Sequence, residues 1–134
     1  ADAHKLASAA VYHDMHETRL LDLNKITARY VKVDKKLERQ VEEEQTDALP
    51  NEIKKSINEL LELDGKELII LKDADYLECA FQAKEYTDSG YSSIEKWLDS
   101  IEKKLQTKSA KELLKTLKEK ESGEWTNGLK VEGL

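Results

Sequence analysis

The stretch that most constrains this chain is residues 66–86, which repeats apolar side chains at helical rather than strand period. At about 100° per residue, Leu68, Ile70, Leu71, Ala74, Leu77, Cys79 and Phe81 define one broad face. Asp75 falls inside that face, one turn after Leu71 and one turn before Cys79, and Glu78, Gln82 and Glu85 share its side. Asp73 is predicted to point to the opposite, polar side. An unpaired carboxylate on a buried face is very costly. Asp75 is therefore expected to be ion-paired, to cap a neighbouring helix, or to bind a metal, and the period alone does not choose.

The rest of the chain is also read as helical. The sequence predicts a helix over residues 2–14 with Asp2 as its cap, then a helix end and connection over 15–22 and a short amphipathic piece over 23–31. Asp34 is placed to cap a charged helix running to about Asp47. Pro50 stands at the start of another, striped by Ile53, Ile57, Leu60 and Leu61. Asp64-Gly65 and Asp88-Ser89-Gly90 are breaks. Ser92 or Ser93 is expected to cap a helix carrying Ile94, Trp97, Leu98, Ile101 and Leu105, and a last helix carries Leu113, Leu114 and Leu117. Residues 121–134 read as an irregular tail of a single domain over 1–134. With no strand alternation, no repeat, five Gly and one Pro, the fold class is all-α.

A length of 134 residues suits one domain with a real core, and 39% hydrophobic against 37% charged residues suits a globular helical chain. The net charge of −6 argues against broad nucleic-acid binding, which needs a basic surface. Lys103, Lys104, Lys108 and Lys111 are too interspersed with acids to form such a patch. A single cysteine excludes an intrachain disulfide, and no apolar run approaches the roughly 18 residues that span a bilayer. A cytoplasmic protein without membrane attachment is expected.

The first predicted helix repeats the pattern of polar groups on an apolar side. Leu6, Ala7 and Ala10 line one face, and His13 and Asp14 continue it at the C-terminal end. A core histidine is often an ordinary hydrogen-bonded residue. A His-Asp pair together with a distant Asp equally suits nitrogen and oxygen ligands converging on a divalent cation.

The stretch Ala9-Ala10-Val11-Tyr12-His13-Asp14-Met15-His16-Glu17, with Asp22 five residues on, resembles the HD-superfamily phosphohydrolases, and within them the 5′-deoxynucleotidase branch. Leu71-Lys72-Asp73-Ala74-Asp75-Tyr76-Leu77-Glu78 is similar to that branch's distal Lys-x-Ala-Asp-x-Leu-Glu helix, and Gln82-Ala83-Lys84-Glu85-Tyr86 follows as there. The Trp97 helix and Glu124-Trp125 before Gly128-Leu129 also look like its C-terminal part. The resemblance implies an HD-domain helical bundle and a metal-dependent phosphomonoesterase acting on 5′-(deoxy)nucleoside monophosphates. His13, Asp14 and Asp75 would be metal ligands, Glu17 the acid/base or water-positioning carboxylate, and Asp22 a second active-site acid. Mixed His and Asp ligation suits Mn²⁺, Co²⁺, Fe²⁺, Ni²⁺ or Mg²⁺.

Two departures matter. The resemblance implies upstream helices bearing another ligand His and a phosphate-binding basic residue, so the chain is expected to be N-terminally incomplete and to self-associate through uncovered apolar surface. The branch also has Gly before the loop Asp and a Pro-containing loop after it, where this chain has Leu21 and Leu23-Asn24-Lys25. Plainer expectations stand beside these. Glu17 would serve as a solvated acid and Asp22 as a helix cap. His4 and His16 would lie at the surface, and Glu42-Glu43-Glu44 would form a solvated face. Glu78 and Glu85 would be supporting acids, Cys79 a small core residue, and Phe81 and Trp97 core or interface packing. A degenerate HD domain that binds nucleotide or metal without turnover, and a helical interaction module, are the alternative functions.

Overall fold

The structure is a computed structural model describing residues 1–91 and 95–124. Its helices are α1 (Ala3–Tyr12), α2 (Glu17–Leu20), α3 (Lys35–Thr46), α4 (Asn51–Leu61), α5 (Gly65–Asp88), α6 (Glu95–Glu102) and α7 (Lys108–Glu119), with a 3-10 turn at Thr27–Arg29. The fold class is all-α, with no strand among the described residues. No helix among them is long and apolar enough to cross a membrane. The chain divides into two compact units, Ala1–Glu67 and Leu68–Leu134.

In the first unit, the helix starts follow the sequence. Asp2 accepts from the N–H groups of His4 and Lys5 at 2.9 and 3.2 Å, and Asp34 from that of Lys36 at 3.0 Å. Each satisfies N–H groups the helix itself leaves open. Pro50 immediately precedes α4. The buried apolar residues are Ala9 on α1, Val41 on α3, Ile57 on α4 and Leu63 after it. Alpha1 packs against α4. Lys5 Nζ reaches Glu67 at 2.6 Å, and Lys54 reaches Asp47 at 2.5 Å.

In the second unit, Leu77, Ala80 and Ala83 of α5 meet Leu98 and Ile101 of α6, Leu105 of the following turn, and Ala110, Leu114 and Leu117 of α7. Tyr76 and Cys79 pack against this cluster, as expected of a small cysteine. Alpha5 stops at Asp88, and two residues on the φ of +100° at Gly90 lets the Tyr91 N–H return to the Tyr86 carbonyl at 3.0 Å.

Several expectations are corrected. The core face of α5 is rotated from the predicted one: Leu71 and Leu77 are buried as expected, but the buried side runs through Asp73 rather than Asp75. Asp73 is only 2% exposed, whereas Asp75, Glu78, Gln82 and Glu85 lie exposed. The reason is that α5 carries apolar residues nearly all round, so small Ala80 and Ala83 allow close packing on the Asp73 side. Alpha1 ends at Tyr12, short of residue 14, and buries Ala9 while Ala7 and Ala10 are exposed. Asp14 is accordingly exposed rather than turned to a core. The 15–22 connection contains α2. Glu42 is buried, not solvated, although Glu43 and Glu44 are exposed as expected. His16 is largely buried, while His4 is at the surface. Phe81 and Trp97 are each 47% exposed, and Ile53 and Leu113 are half-exposed members of their stripes. The cap at Ser92 or Ser93, Ile94, and the Trp125 to Leu129 similarity lie outside the described residues.

Candidate active site

His13 sits where α1 ends, capping it through its N–H to the Ala9 carbonyl at 2.9 Å. Its Nδ1 is 2.9 Å from the Ala10 carbonyl oxygen, which can only accept, so Nδ1 carries the hydrogen. The other ring nitrogen, Nε2, stands 2.9 Å from Asp14 Oδ2. A lone-pair nitrogen and a carboxylate oxygen side by side can share one cation. An imidazole whose Nδ1–H is held by a backbone carbonyl is the usual arrangement of a metal-binding histidine. The pair therefore fits a divalent ion in donor type and orientation.

Glu17 opens α2 one turn later. Burial pushes its carboxyl above the usual carboxylate range, and the negative charges of Asp14 and Asp22 push it further, with His16 and His13 opposing. The first unit thus gathers His13, Asp14, Glu17 and Asp22 in one electrostatic neighbourhood. Glu17 and Asp22 line a cleft of about 350 Å³ together with His16, Leu20, Val31 and Lys32. Asp75 belongs to the second unit, where it occupies the exposed side of α5.

Alpha2 has four residues, too few to persist by itself. Alpha3 holds it. Gln45 Nε2 donates to the Met15 carbonyl at 2.8 Å and lies 2.7 Å from Thr18 Oγ1. Arg19 pairs with Glu44 at 3.1 Å, and His16 Nδ1 lies 3.3 Å from Glu42 Oε1. Glu42 also faces Arg39 at 3.6 Å, and Arg39 bonds Glu62 of the α4 end. The sequence reading missed Glu42 and His16 in this role. A signal existed for Glu42, which lies beside Val41 and one turn before Thr46 on the only weakly polar side of α3.

Leu21 follows α2 with φ 67° and ψ 146°, a backbone region that a side chain with a Cβ rarely enters. This is the position where the resembled branch carries Gly. Leu21 therefore takes a glycine-like conformation immediately before Asp22, and its side chain is 71% exposed.

The family described as YfbR-like 5′-deoxynucleotidase matches residues 1–120. No curated protein and no solved structure matches the chain. The match spans His13-Asp14, Glu17, Asp22 and the α5 acids alike, so by sequence and by all-α fold the chain belongs to the YfbR-like 5′-deoxynucleotidase family.

Proposed function

We propose that this chain is a divalent-metal-dependent phosphomonoesterase acting on 5′-(deoxy)nucleoside monophosphates. Family membership supports the reaction class. The observation that carries the reading is the His13 Nε2–Asp14 Oδ2 pair at 2.9 Å, with His13 oriented by the Ala10 carbonyl, beside a Glu17 whose carboxyl is pushed upward. His13, Asp14 and Asp75 are the ligand set, for Mn²⁺, Co²⁺, Fe²⁺, Ni²⁺ or Mg²⁺. Bound there, the ion supplies Lewis acidity toward a phosphoryl oxygen and lowers the pKa of water.

The remaining work falls to the chain's own carboxylates. Glu17 takes a proton from the attacking water. Its raised affinity for a proton makes it a stronger base than a solvated carboxylate. Asp22, on the same cleft, positions that water and keeps the local charge negative. The ester P–O bond breaks as the water oxygen bonds phosphorus, and the proton held by Glu17 passes to the leaving 5′-oxygen, giving nucleoside and inorganic phosphate.

The test is phosphate release from a panel of 5′-nucleotides and 5′-deoxynucleotides, with and without Mn²⁺ or Co²⁺. Metal-dependent release that Glu17→Ala reduces by at least about 100-fold is expected for a lost acid/base. Asp75→Ala should lose metal and activity together. Full activity in Asp75→Ala would remove it from the ligand set, and full activity in Glu17→Ala would end the base assignment.

A further inference from the structure

The cleft that holds Glu17 and Asp22 has a charge problem for any anionic ligand. Three carboxylates line it: Glu17, Asp22 and Glu38. Two lining side chains can carry positive charge, His16 and Lys32. His16 is already committed, its ring largely buried and its Nδ1 facing Glu42. Lys32 is exposed and has no hydrogen bond or ion pair among the described residues. Other basic side chains of this unit are spent on structure: Lys5 on Glu67, Arg19 on Glu44, Arg39 on Glu42 and Glu62, Lys54 on Asp47.

Lys32 stands apart from the other unspent cations of the unit because it lines the cleft. It follows Val31, and Val31 and Val33 line the cleft on either side of it.

We propose that Lys32 is the anion contact of this cleft and binds the phosphoryl group of the phosphate monoester, a role that rests on the hydrolase reading only for the identity of the ester. Lysine acts there as a point charge that needs no fixed fork geometry, which suits a dianion with equivalent oxygens. It is a binding residue and takes no part in proton transfer.

The probe is inorganic phosphate titrated into the chain and followed by amide chemical shifts, for wild type, Lys32→Ala, Lys32→Arg and Lys35→Ala. Lys35 carries the same charge on the exposed start of α3 and does not line the cleft. Lys32→Ala should weaken phosphate binding about tenfold, Lys32→Arg should restore most of it, and Lys35→Ala should change it by less than about twofold. Where turnover is measured, KM should rise with kcat retained in Lys32→Ala. Unchanged phosphate affinity in Lys32→Ala overturns the proposal, as does an equal loss in Lys35→Ala or the absence of phosphate binding by the wild type. The two readings separate cleanly. Hydrolysis with phosphate affinity indifferent to Lys32 removes this inference alone. Phosphate binding that depends on Lys32, without hydrolysis under any metal, removes the hydrolase reading and leaves an anion site.

Discussion

Leu21 and Asp73 each show a single residue carrying more than its class suggests. At Leu21 the backbone conformation is one that glycine enters freely and leucine does not, at a cost on the order of 1–3 kcal/mol. The side chain, 71% exposed, recovers little of that by burial. Leu21→Gly should therefore raise stability by about 1 kcal/mol, after subtracting roughly 1 kcal/mol for the added freedom of the unfolded chain. Leu21→Ala, which keeps the Cβ, should not. Chemical denaturation of the pair decides it, and equal stability of the two variants would show that the turn carries no strain.

Asp73 is a buried carboxylate that works as a cap from a distance. Its oxygens accept from the N–H of Gln106 at 3.0 Å and from that of Thr107 at 2.7 Å, at the start of α7. Burial pushes its carboxyl up, but the Thr107 hydroxyl, these two N–H groups and Lys111 together overcome that and hold it below the usual range. Asp73→Ala should cost about 2 kcal/mol, since it strands N–H groups at a helix start. A carboxyl lowered in the folded state binds its proton more readily once unfolded. Its contribution is therefore complete above the ordinary carboxylate pKa and is lost as pH falls through the lowered folded value. Asp73→Asn should flatten that acid limb of the stability curve. An unchanged limb would place the acid sensitivity elsewhere.

Among the elements, α2 depends most on its surroundings. Four residues cannot sustain a helix, yet this one bears Glu17. Its support comes from side chains of α3, and Gln45 alone serves both Met15 and Thr18. Gln45→Ala should loosen the turn without unfolding the unit. Amide exchange over residues 17–21 is expected to quicken about tenfold while α4 stays protected. Uniform acceleration across both segments would mean that Gln45 supports the whole unit instead. Alpha5 makes the complementary point. Its length was legible because apolar residues recur through it, and for the same reason its buried face was legible only in part: Leu71 and Leu77 are buried as read, but two sides offered comparable stripes. The choice fell to Ala80 and Ala83, whose small side chains let α6 and α7 approach.

For the whole molecule, the net charge of −6 opposes long-range attraction of a nucleotide, so binding must rely on local groups. A divalent ion held by the native state raises stability by mass action, about 2.7 kcal/mol at 100 times its dissociation constant. Adding Mn²⁺ to metal-free protein should raise the midpoint of thermal unfolding, and Asp14→Ala should abolish most of that rise. A rise of the same size in Asp14→Ala would move the ion to another set of donors.

Sequence alone determined the helical class, the caps at Asp2 and Asp34, the break at Gly65, and the family through His13, Asp14, Glu17, Asp22 and Asp75. These are properties of period, local hydrogen bonding and motif spacing, which neighbouring residues carry among themselves. Tertiary structure alone decided that Asp73 is buried and Asp75 exposed, that Glu42 and His16 meet, and that Leu21 takes a glycine conformation. Each of these depends on which face another helix covers, or on how a turn must bend to reach it. Such choices are settled by packing between segments distant in sequence, and a helix apolar on two sides leaves them open until its neighbours arrive.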